Sequence, residues 1–201
     1  PNAEKGPVPA FLGCNFFGNH AVIPDPKITL STKWMRNTPD GKNVVNHLAT
    51  QSSRGSEAHR WEVEEIIAKG FALATFYYGD IEPDHVDGWK NGIRAALVTD
   101  GAQTEFAPND WGAISAWAWG LSRAMDYLEQ DKSIDSKKVA VMGHSRLGKA
   151  ALWAGAQDER FALVISNNAG AGGTSLARRN FGESVADLNS VFPYWFCKKY
   201  S

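Results

Sequence analysis

The chain has 201 residues, enough for one domain, and we expect residues 1–201 to form a single one. Hydrophobic residues make up 43% of the chain and charged residues 21%, which is ordinary for a globular protein and excludes a disordered one. The formal net charge of −1 gives no broad attraction to nucleic acid or to an anionic membrane, and the longest apolar runs are too short to span a bilayer.

Predicted strands alternate with predicted helices along the chain. The strands are expected at 8–17, 71–78, 138–142 and 161–166, and the helices at 56–69, 111–130 and 147–156. The helix at 111–130 shows the pattern best, with Ile114, Trp117, Leu121 and Met125 on one face. Strand, helix and strand follow each other with short joins, which predicts a parallel sheet and the α/β fold class.

Two segments, 24–47 and 79–110, lack any helical or strand period. Within the second, residues 80–87 (DIEPDHVD) look like the start of a calcium-binding loop. The sixth position, where such a loop needs glycine, is His85, and the twelfth, where it needs glutamate, is Asn91. We therefore expect no metal site here, but a solvated loop on the side of the sheet where the active site lies.

The turn within residues 139–150, VAVMGHSRLGKA, half-matches two kinds of chemistry. Residues 143–149 fit the glycine-rich loop that binds phosphates in front of a helix. That pattern needs Ser or Thr next to hold magnesium, but the residue is Ala150, and the following strand ends without an acidic residue. A nucleotide-hydrolysing loop is therefore excluded, and no cofactor is expected.

The same turn also fits a nucleophile elbow, in which G-x-S between a strand and a helix exposes a serine hydroxyl. The serine is Ser145, and the N-terminus of the next helix would direct backbone N–H groups at a developing oxyanion. The usual second glycine falls on Leu147, and Gly148 follows one residue later. An ordinary glycine-containing turn between strand and helix therefore remains the alternative.

Residues 143–149, GHSRLGK, resemble the G-x-S-R-x-G-K signature of the glucuronoyl esterases, carbohydrate esterase family 15. The chain resembles the bacterial members of that family in four further segments, in matching order. These are NFFGNH at 15–20, FYYGDIEPD at 76–84, WGAISAWAWGLSRAMDYL at 111–128, and FGES and NSVFPYWFC within 181–197. The resemblance implies an α/β-hydrolase fold, a three-layer αβα arrangement around a mostly parallel sheet. It also implies a secreted or periplasmic serine esterase that cleaves esters between lignin alcohols and the glucuronate groups of xylan.

The resemblance assigns four site residues. It implies that Ser145 is the nucleophile and that Arg146 stabilises the oxyanion through its backbone N–H and its guanidinium. It further implies that Lys149 binds hydroxyls of the uronate ring and that Glu183 helps to hold the sugar. The alternatives are a surface ion pair for Arg146, a solvated helix charge for Lys149 and a helix-capping acid for Glu183.

The chain departs from the family pattern at the other two members of the catalytic triad. The position where the family commonly has its acid is Asn168, and an amide does not balance an imidazolium as a carboxylate does. All five histidines precede Ser145, whereas the triad histidine of this fold follows the serine. His144 is expected to point away from Ser145, and Tyr194 stands where relatives often have histidine. We expect the chain to be part of a larger enzyme whose C-terminal segment supplies the base, so that the fold is incomplete at that end.

Two other functions remain open at this point. One is a non-catalytic carbohydrate-binding relative that keeps Lys149 and Glu183, and the other is an esterase with a different acyl or alcohol group. The expected partner in the main interpretation is glucuronoxylan or a lignin–carbohydrate ester, with no nucleic acid and no membrane. The chain begins at Pro1 without a signal sequence, so the secreted or periplasmic location depends on the resemblance alone.

Overall fold

The computed structural model describes residues 6–97, 106–178 and 181–200. At its centre is a parallel sheet of four strands in the order β4-β1-β5-β6, and a short antiparallel ribbon joins β2 to β3. The strands are β1 (Val8–Asn15), β2 (Val44–Val45), β3 (Leu48–Ala49), β4 (Ala72–Tyr77), β5 (Ile134–His144) and β6 (Leu163–Asn167). The helices are α1 (Asn19–Val22), α2 (Ala58–Trp61), α3 (Val63–Ala68), α4 (Ile93–Ala96), α5 (Ala113–Leu128), α6 (Arg146–Gln157) and α7 (Val185–Val191).

The predicted alternation of strands and helices is confirmed, and so is the parallel sheet. The chain moves from β1 to β4 in one direction across the sheet and from β4 through β5 to β6 in the other. Since crossovers between parallel strands are right-handed, the helices of the two directions lie on opposite faces. Helix α3 therefore covers one face, and α5 and α6 cover the other, which gives the expected three layers.

The core lies between the sheet and helix α5. Trp117, Leu121 and Met125 follow each other along one face of α5 and are completely buried. They are joined by Leu12 from β1 and Val141 from β5, so the two central strands pack against the same helix. The apolar stripe of α5 is thus core, as its spacing predicted.

Two predicted elements differ clearly from the structure. The single helix expected at 56–69 is two short helices, α2 and α3, separated at Glu62, whose φ is 20°. Neither helix contains a buried residue, so no packing favours a continuous helix there. Strand β5 begins at Ile134, well before the predicted 138, because its polar first residues lie alongside the start of β1.

The segment 79–110, expected to be irregular, contains tight turns in its described part. Single turns of 3₁₀-helix at Tyr78–Asp80 and Gly88–Asn91 are followed by α4, and residues 98–105 lie outside the described residues. The buried pair Glu82–Arg94 closes this segment, because the Arg94 Nε lies 2.9 Å from both carboxylate oxygens. Arg94 also donates to the Trp111 carbonyl oxygen at 3.0 Å, which fixes the segment to the chain just before α5.

The C-terminal part of the chain returns to the N-terminus of α5. The backbone N–H groups of Ala113 and Ile114 donate to the carbonyl oxygens of Tyr194 and Trp195 at 2.9 and 3.1 Å. These contacts satisfy two of the donors that a helix N-terminus leaves free. Gly112 allows the approach, since a Cβ there would lie 2.3 Å from the Trp195 oxygen. Tyr194 and Trp195 are thereby fixed beside the ends of the parallel strands. Within the described ranges, no helix is long and apolar enough to cross a membrane.

Candidate active site

Ser145 occupies the sharp turn between β5 and α6. Its backbone has φ 55° and ψ −126°, a region that residues with a side chain rarely adopt and that costs on the order of 1–3 kcal/mol. Its N–H donates to the Asn167 carbonyl oxygen at 2.9 Å, and its own carbonyl accepts from the Lys149 N–H at 3.1 Å. The hydroxyl does not cap α6. The turn therefore has the geometry of a nucleophile elbow, as predicted, rather than that of an ordinary connection.

Two glycines allow the elbow to close. A Cβ on Gly143 would lie 2.0 Å from the Leu147 carbonyl oxygen, so only glycine permits the strand end to approach the first turn of α6. A Cβ on Gly148 would lie 3.0 Å from the carbonyl oxygens of both Asn167 and Gly143. Gly148 thus provides the close approach of helix to strand, and this explains how the turn forms with the second glycine displaced by one residue.

Arg146 is mostly buried and its guanidinium is held on several sides. Its Nη1 donates to a carboxylate oxygen of Asp84. Its Cζ lies over the rings of Phe192 and Trp195, 5.2 and 4.8 Å from their centroids. The Nε is buried and has no hydrogen-bond partner among the described residues. The alternative of a surface ion pair is therefore wrong, because this cation is enclosed by an acid and two aromatic rings.

Asp84, which pairs with Arg146, is fully buried. The prediction that residues 80–87 are solvated is thus wrong for Asp84 and for Glu82, which are both buried. The loop does lie beside the elbow, because Asp84 pairs with Arg146. Burial alone would raise the pKa of Asp84, but the positive charge of Arg146 and hydrogen bonds from Trp195 and Tyr194 hold that pKa below its usual value. Asp84 is therefore an anion in the folded protein.

Lys149 lies in α6, one turn after Ser145, and only 4% of its side chain is exposed. Its Nζ donates to the Ala169 carbonyl oxygen at 2.6 Å and lies 5.6 Å from the centroid of the Trp195 ring. Burial lowers the pKa of Lys149, while the nearby Glu183 carboxylate opposes that shift. A solvated helix charge is thus the wrong interpretation of Lys149.

Glu183 places an oxygen 3.8 Å from the Lys149 Nζ, and 43% of its side chain is exposed. It does not cap α7, because Ser184 is the capping residue and exchanges hydrogen bonds with Asp187. At 3.8 Å the ammonium and the carboxylate attract each other but are too far apart for a good hydrogen bond. The structure thus brings Ser145, Arg146, Lys149 and Glu183 to one end of the sheet.

None of the five histidines, all of which lie in the described part of the chain, hydrogen-bonds to Ser145. His144 is exposed, and its Nδ1 lies 3.2 Å from the Asn167 amide nitrogen. His144 and Asn167 line a cavity of about 840 Å³ whose walls do not include Ser145. Tyr194 instead donates its hydroxyl to Asp84 at 2.8 Å. Among the described residues, Ser145 therefore lies next to Arg146 and one helical turn before Lys149, with no histidine hydrogen-bonded to it.

Sequence reasoning missed Asp84, Phe192 and Trp195 as neighbours of the elbow. The only signal was that Asp84 ends one of the resembling segments, and that Phe192 and Trp195 belong to another. Each is separated from Arg146 by more than 40 positions of sequence, so no local spacing connects them. Within the described ranges, no group of three or more His, Cys, Asp or Glu could hold a metal ion.

Comparison with known proteins supports the resemblance. A family model described as "Glucuronyl esterase, fungi" matches residues 103–191. The carbohydrate esterase MZ0003, from an unknown prokaryotic organism, is 51% identical over 200 residues, which are 100% of this chain and 46% of that protein. A 4-O-methyl-glucuronoyl methylesterase of Podospora anserina is 38% identical over 100 residues, 45% of this chain and 21% of that protein.

A solved structure of the glucuronoyl esterase from Solibacter usitatus has the same fold. It superposes with a TM-score of 0.89 at 50% identity, and the match covers 100% of this chain and 49% of that one. The chain thus spans about half the length of the relatives that it matches throughout. The predicted resemblance and the predicted partial α/β-hydrolase fold are confirmed.

Proposed function

We infer that the chain is part of a glucuronoyl esterase of carbohydrate esterase family 15, and we propose that it contains the nucleophile of a serine esterase. The proposed reaction is hydrolysis of esters between lignin alcohols and the glucuronate groups of xylan. The observation that supports it most is the elbow, where the strained Ser145 lies next to Arg146 and one helical turn before Lys149. Backbone strain at a half-buried serine is difficult to explain by folding alone, because folding gains nothing from it.

The proposed chemistry is acyl transfer through Ser145. Its oxygen attacks the ester carbonyl, and the negative charge that forms on the carbonyl oxygen is stabilised by the N-terminus of α6 and by Arg146. The C–O bond to the alcohol then breaks, the alcohol leaves with a proton, and water hydrolyses the acyl-serine. We propose that the base that takes the serine proton lies in the half of the enzyme that corresponds to the unmatched part of the relatives.

The uronate ring is proposed to bind beside Lys149 and Glu183, with one hydroxyl contacting both. The ammonium of Lys149 uses one proton on the Ala169 carbonyl and keeps two for other acceptors. At a separation of 3.8 Å, Lys149 and Glu183 do not form a good hydrogen bond with each other. A ring hydroxyl beside them can therefore accept a hydrogen bond from Lys149 and donate one to Glu183. A neutral acyl ester without hydroxyls gains nothing from this pair, so the arrangement favours a sugar acid over a simple acetate.

The substrate chemistry also supports a location outside the cytoplasm. Glucuronoxylan esterified to lignin is an insoluble polymer, so an enzyme that acts on it has to reach it where it lies. We propose that the enzyme is secreted or periplasmic, and that neither nucleic acid nor a membrane is its partner.

The test uses the protein at its full natural length and a benzyl ester of glucuronate. Replacing Ser145 with Ala should remove turnover, because the attacking oxygen is lost; general-base-assisted attack alone contributes about 10²–10⁴-fold. Ser175→Ala, at an exposed serine in the loop after β6, is the matched control and should leave turnover unchanged. Absence of turnover in the unaltered protein, with binding of glucuronate retained, would favour the non-catalytic carbohydrate-binding relative instead.

A further inference from the structure

Asp84 is the point at which distant segments of the chain meet. Its carboxylate is fully buried and accepts hydrogen bonds from five side chains. The donors are Arg36 (3.4 Å), Tyr78 (2.9 Å), Arg146, Tyr194 (2.8 Å) and Trp195 (2.9 Å). Apart from Tyr78, which belongs to the same segment as Asp84, they come from the segment before β2, from helix α6 and from the C-terminal part of the chain.

The Asp84 carboxylate and the stacked rings of Phe192 and Trp195 together restrict the Arg146 guanidinium. Asp84 accepts from the Arg146 Nη1, and the rings of Phe192 and Trp195 lie within about 5 Å of its Cζ. Trp195 also donates its indole N–H to Asp84, so ring and carboxylate hold each other in place. Without these contacts the Arg146 side chain would sample many rotamers instead of one orientation.

The charges around Asp84 do not cancel. Arg36 shares the same carboxylate oxygen as Arg146, and its Cζ lies 5.7 Å from the Phe192 ring centroid. Two guanidinium groups against one carboxylate leave one positive charge in this cluster. Asp84 can therefore hold Arg146 without neutralising the field that a developing oxyanion needs.

The loop that carries Asp84 has a second anchorage that does not involve Asp84. Two residues earlier, Glu82 forms the buried pair with Arg94, and its carbonyl oxygen accepts from the Trp117 indole at 2.9 Å. Both contacts tie the loop to the core around α5, away from the elbow. Glu82 thus already connects the loop to the core, whereas the partners of Asp84 include Arg146, the residue next to Ser145.

We propose that Asp84 is a positioning residue of the esterase reaction, which holds the Arg146 guanidinium beside Ser145 so that it faces the oxyanion. This inference rests on the proposed function, since it acts only if Arg146 stabilises the transition state. Asp84 itself touches neither the substrate nor the reacting atoms.

The test is a double-mutant cycle between Asp84 and Arg146 in the protein at its full natural length. With the benzyl glucuronate ester, Asp84→Asn should lower kcat by about 10- to 100-fold, the range expected for a misplaced catalytic group, and change KM much less. In an Arg146→Ala background the same substitution should cost no more than about twofold, the usual error of additivity. Equal losses in the two backgrounds would show that Asp84 does not act through Arg146 and would overturn the inference.

Controls separate positioning from folding and from the proposed function. A phosphonate ester that labels Ser145 counts the folded sites, so kcat is expressed per labelled molecule. Glu82→Gln should lower the melting temperature and leave kcat per labelled molecule unchanged. If Glu82→Gln lowers kcat as much as Asp84→Asn does, the effect of Asp84 comes from the loop as a whole. If Asp84→Asn does not fold, Tyr194→Phe, which removes one donor from the same carboxylate, should show a smaller loss of kcat that disappears in the Arg146→Ala background. An active wild-type enzyme with additive losses overturns only the inference, whereas an inactive one overturns the proposed function with it.

Discussion

The backbone N–H of Ser145 donates to the carbonyl oxygen of Asn167 at 2.9 Å, which joins the elbow to the end of the neighbouring strand β6. The proposed nucleophile is thus held by two strands and a helix rather than by its own turn alone. Ser166, the residue before Asn167, donates its hydroxyl to the Gly148 carbonyl oxygen at 2.7 Å and adds a second link from β6 to α6. The position of the serine oxygen therefore depends on close backbone contacts that larger side chains would separate.

The first prediction concerns the closest of these contacts. In Gly143→Ala the new Cβ would lie 2.0 Å from the Leu147 carbonyl oxygen, so strand and helix must move apart and displace Ser145. A displacement of about 1 Å at a catalytic group can cost about 100-fold, and we expect kcat/KM for the glucuronate ester to fall by at least that much. Gly41→Ala is the control: a Cβ there meets nothing within 4 Å, and the strain at its φ of 62° affects stability in a loop that does not contact Ser145. Equal activity in the two variants would show that the elbow tolerates the shift.

The elbow itself could be predicted from the sequence, because its signals are local. A hydrophobic strand, G-x-S and a helix follow each other within residues 139–156, and each requires only its neighbours in the chain. The parallel order of the strands followed from short joins in the same way. What the sequence did not indicate is that the displaced glycine, Gly148, packs closely against the strand and the turn.

The surroundings of Arg146 could not be predicted, because they depend on contacts between distant parts of the chain. The acidic segment around Asp84 looks solvated when its composition alone is considered, since carboxylates are rarely buried without partners. Its partners are Arg36 on one side and Tyr194 and Trp195 on the other, none of which a local pattern connects to it. The break between α2 and α3 at Glu62 could not be predicted either, because residues 56–69 contain no glycine or proline.

A second prediction tests the specificity assigned to Lys149. Lys149→Met keeps most of the side-chain volume but removes a charged hydrogen-bond donor, which contributes about 1.5–3 kcal/mol, or roughly ten- to hundredfold in kcat/KM. That loss is expected for the glucuronate ester and should be much smaller for a simple acetate ester, which has no ring hydroxyls. The same variant measured with both substrates is its own control. Equal losses would mean that the bond from Lys149 to the Ala169 carbonyl only supports the fold.

A third prediction distinguishes Glu183 from Lys149 by kinetics. Glu183 is partly exposed and lies 3.8 Å from the ammonium, so it can bind the sugar in the ground state and the transition state alike. Glu183→Gln should therefore raise KM for the glucuronate ester, by about tenfold if one charged hydrogen bond is weakened, with kcat nearly unchanged. Glu159→Gln, at an exposed acid remote from the elbow, should change neither constant. A fall in kcat at unchanged KM would place Glu183 in the transition state instead.

The last prediction concerns the acid stability of the far end of α5 and α6. Arg160 pairs there with Asp158, Asp126 and Glu129, with nitrogen–oxygen distances of 2.6, 2.8 and 2.6 Å. Hydrogen bonds from the Arg160 side chain are the main reason that the pKa of Asp158 falls to about 2 in the folded protein. Because the unfolded carboxyl has a pKa of about 3.9, the folded state favours the ionised form, and this contribution is fully present above pH about 4.

As the pH falls from about 4 to about 2, the unfolded state takes up the proton first, and the stabilisation from Asp158 is lost. The upper limit of this contribution is about 3 kcal/mol, and the real value is smaller, because the Arg160 side chain is 31% exposed and solvent screens the pair. Urea unfolding of the wild type and of Asp158→Asn should therefore give a difference in unfolding free energy at pH about 6 that shrinks towards zero at pH about 2. Glu159→Gln, the next acid in the chain, should show no such convergence. A difference that stays constant over this range would mean that Asp158 stabilises the helix ends through packing rather than through its charge.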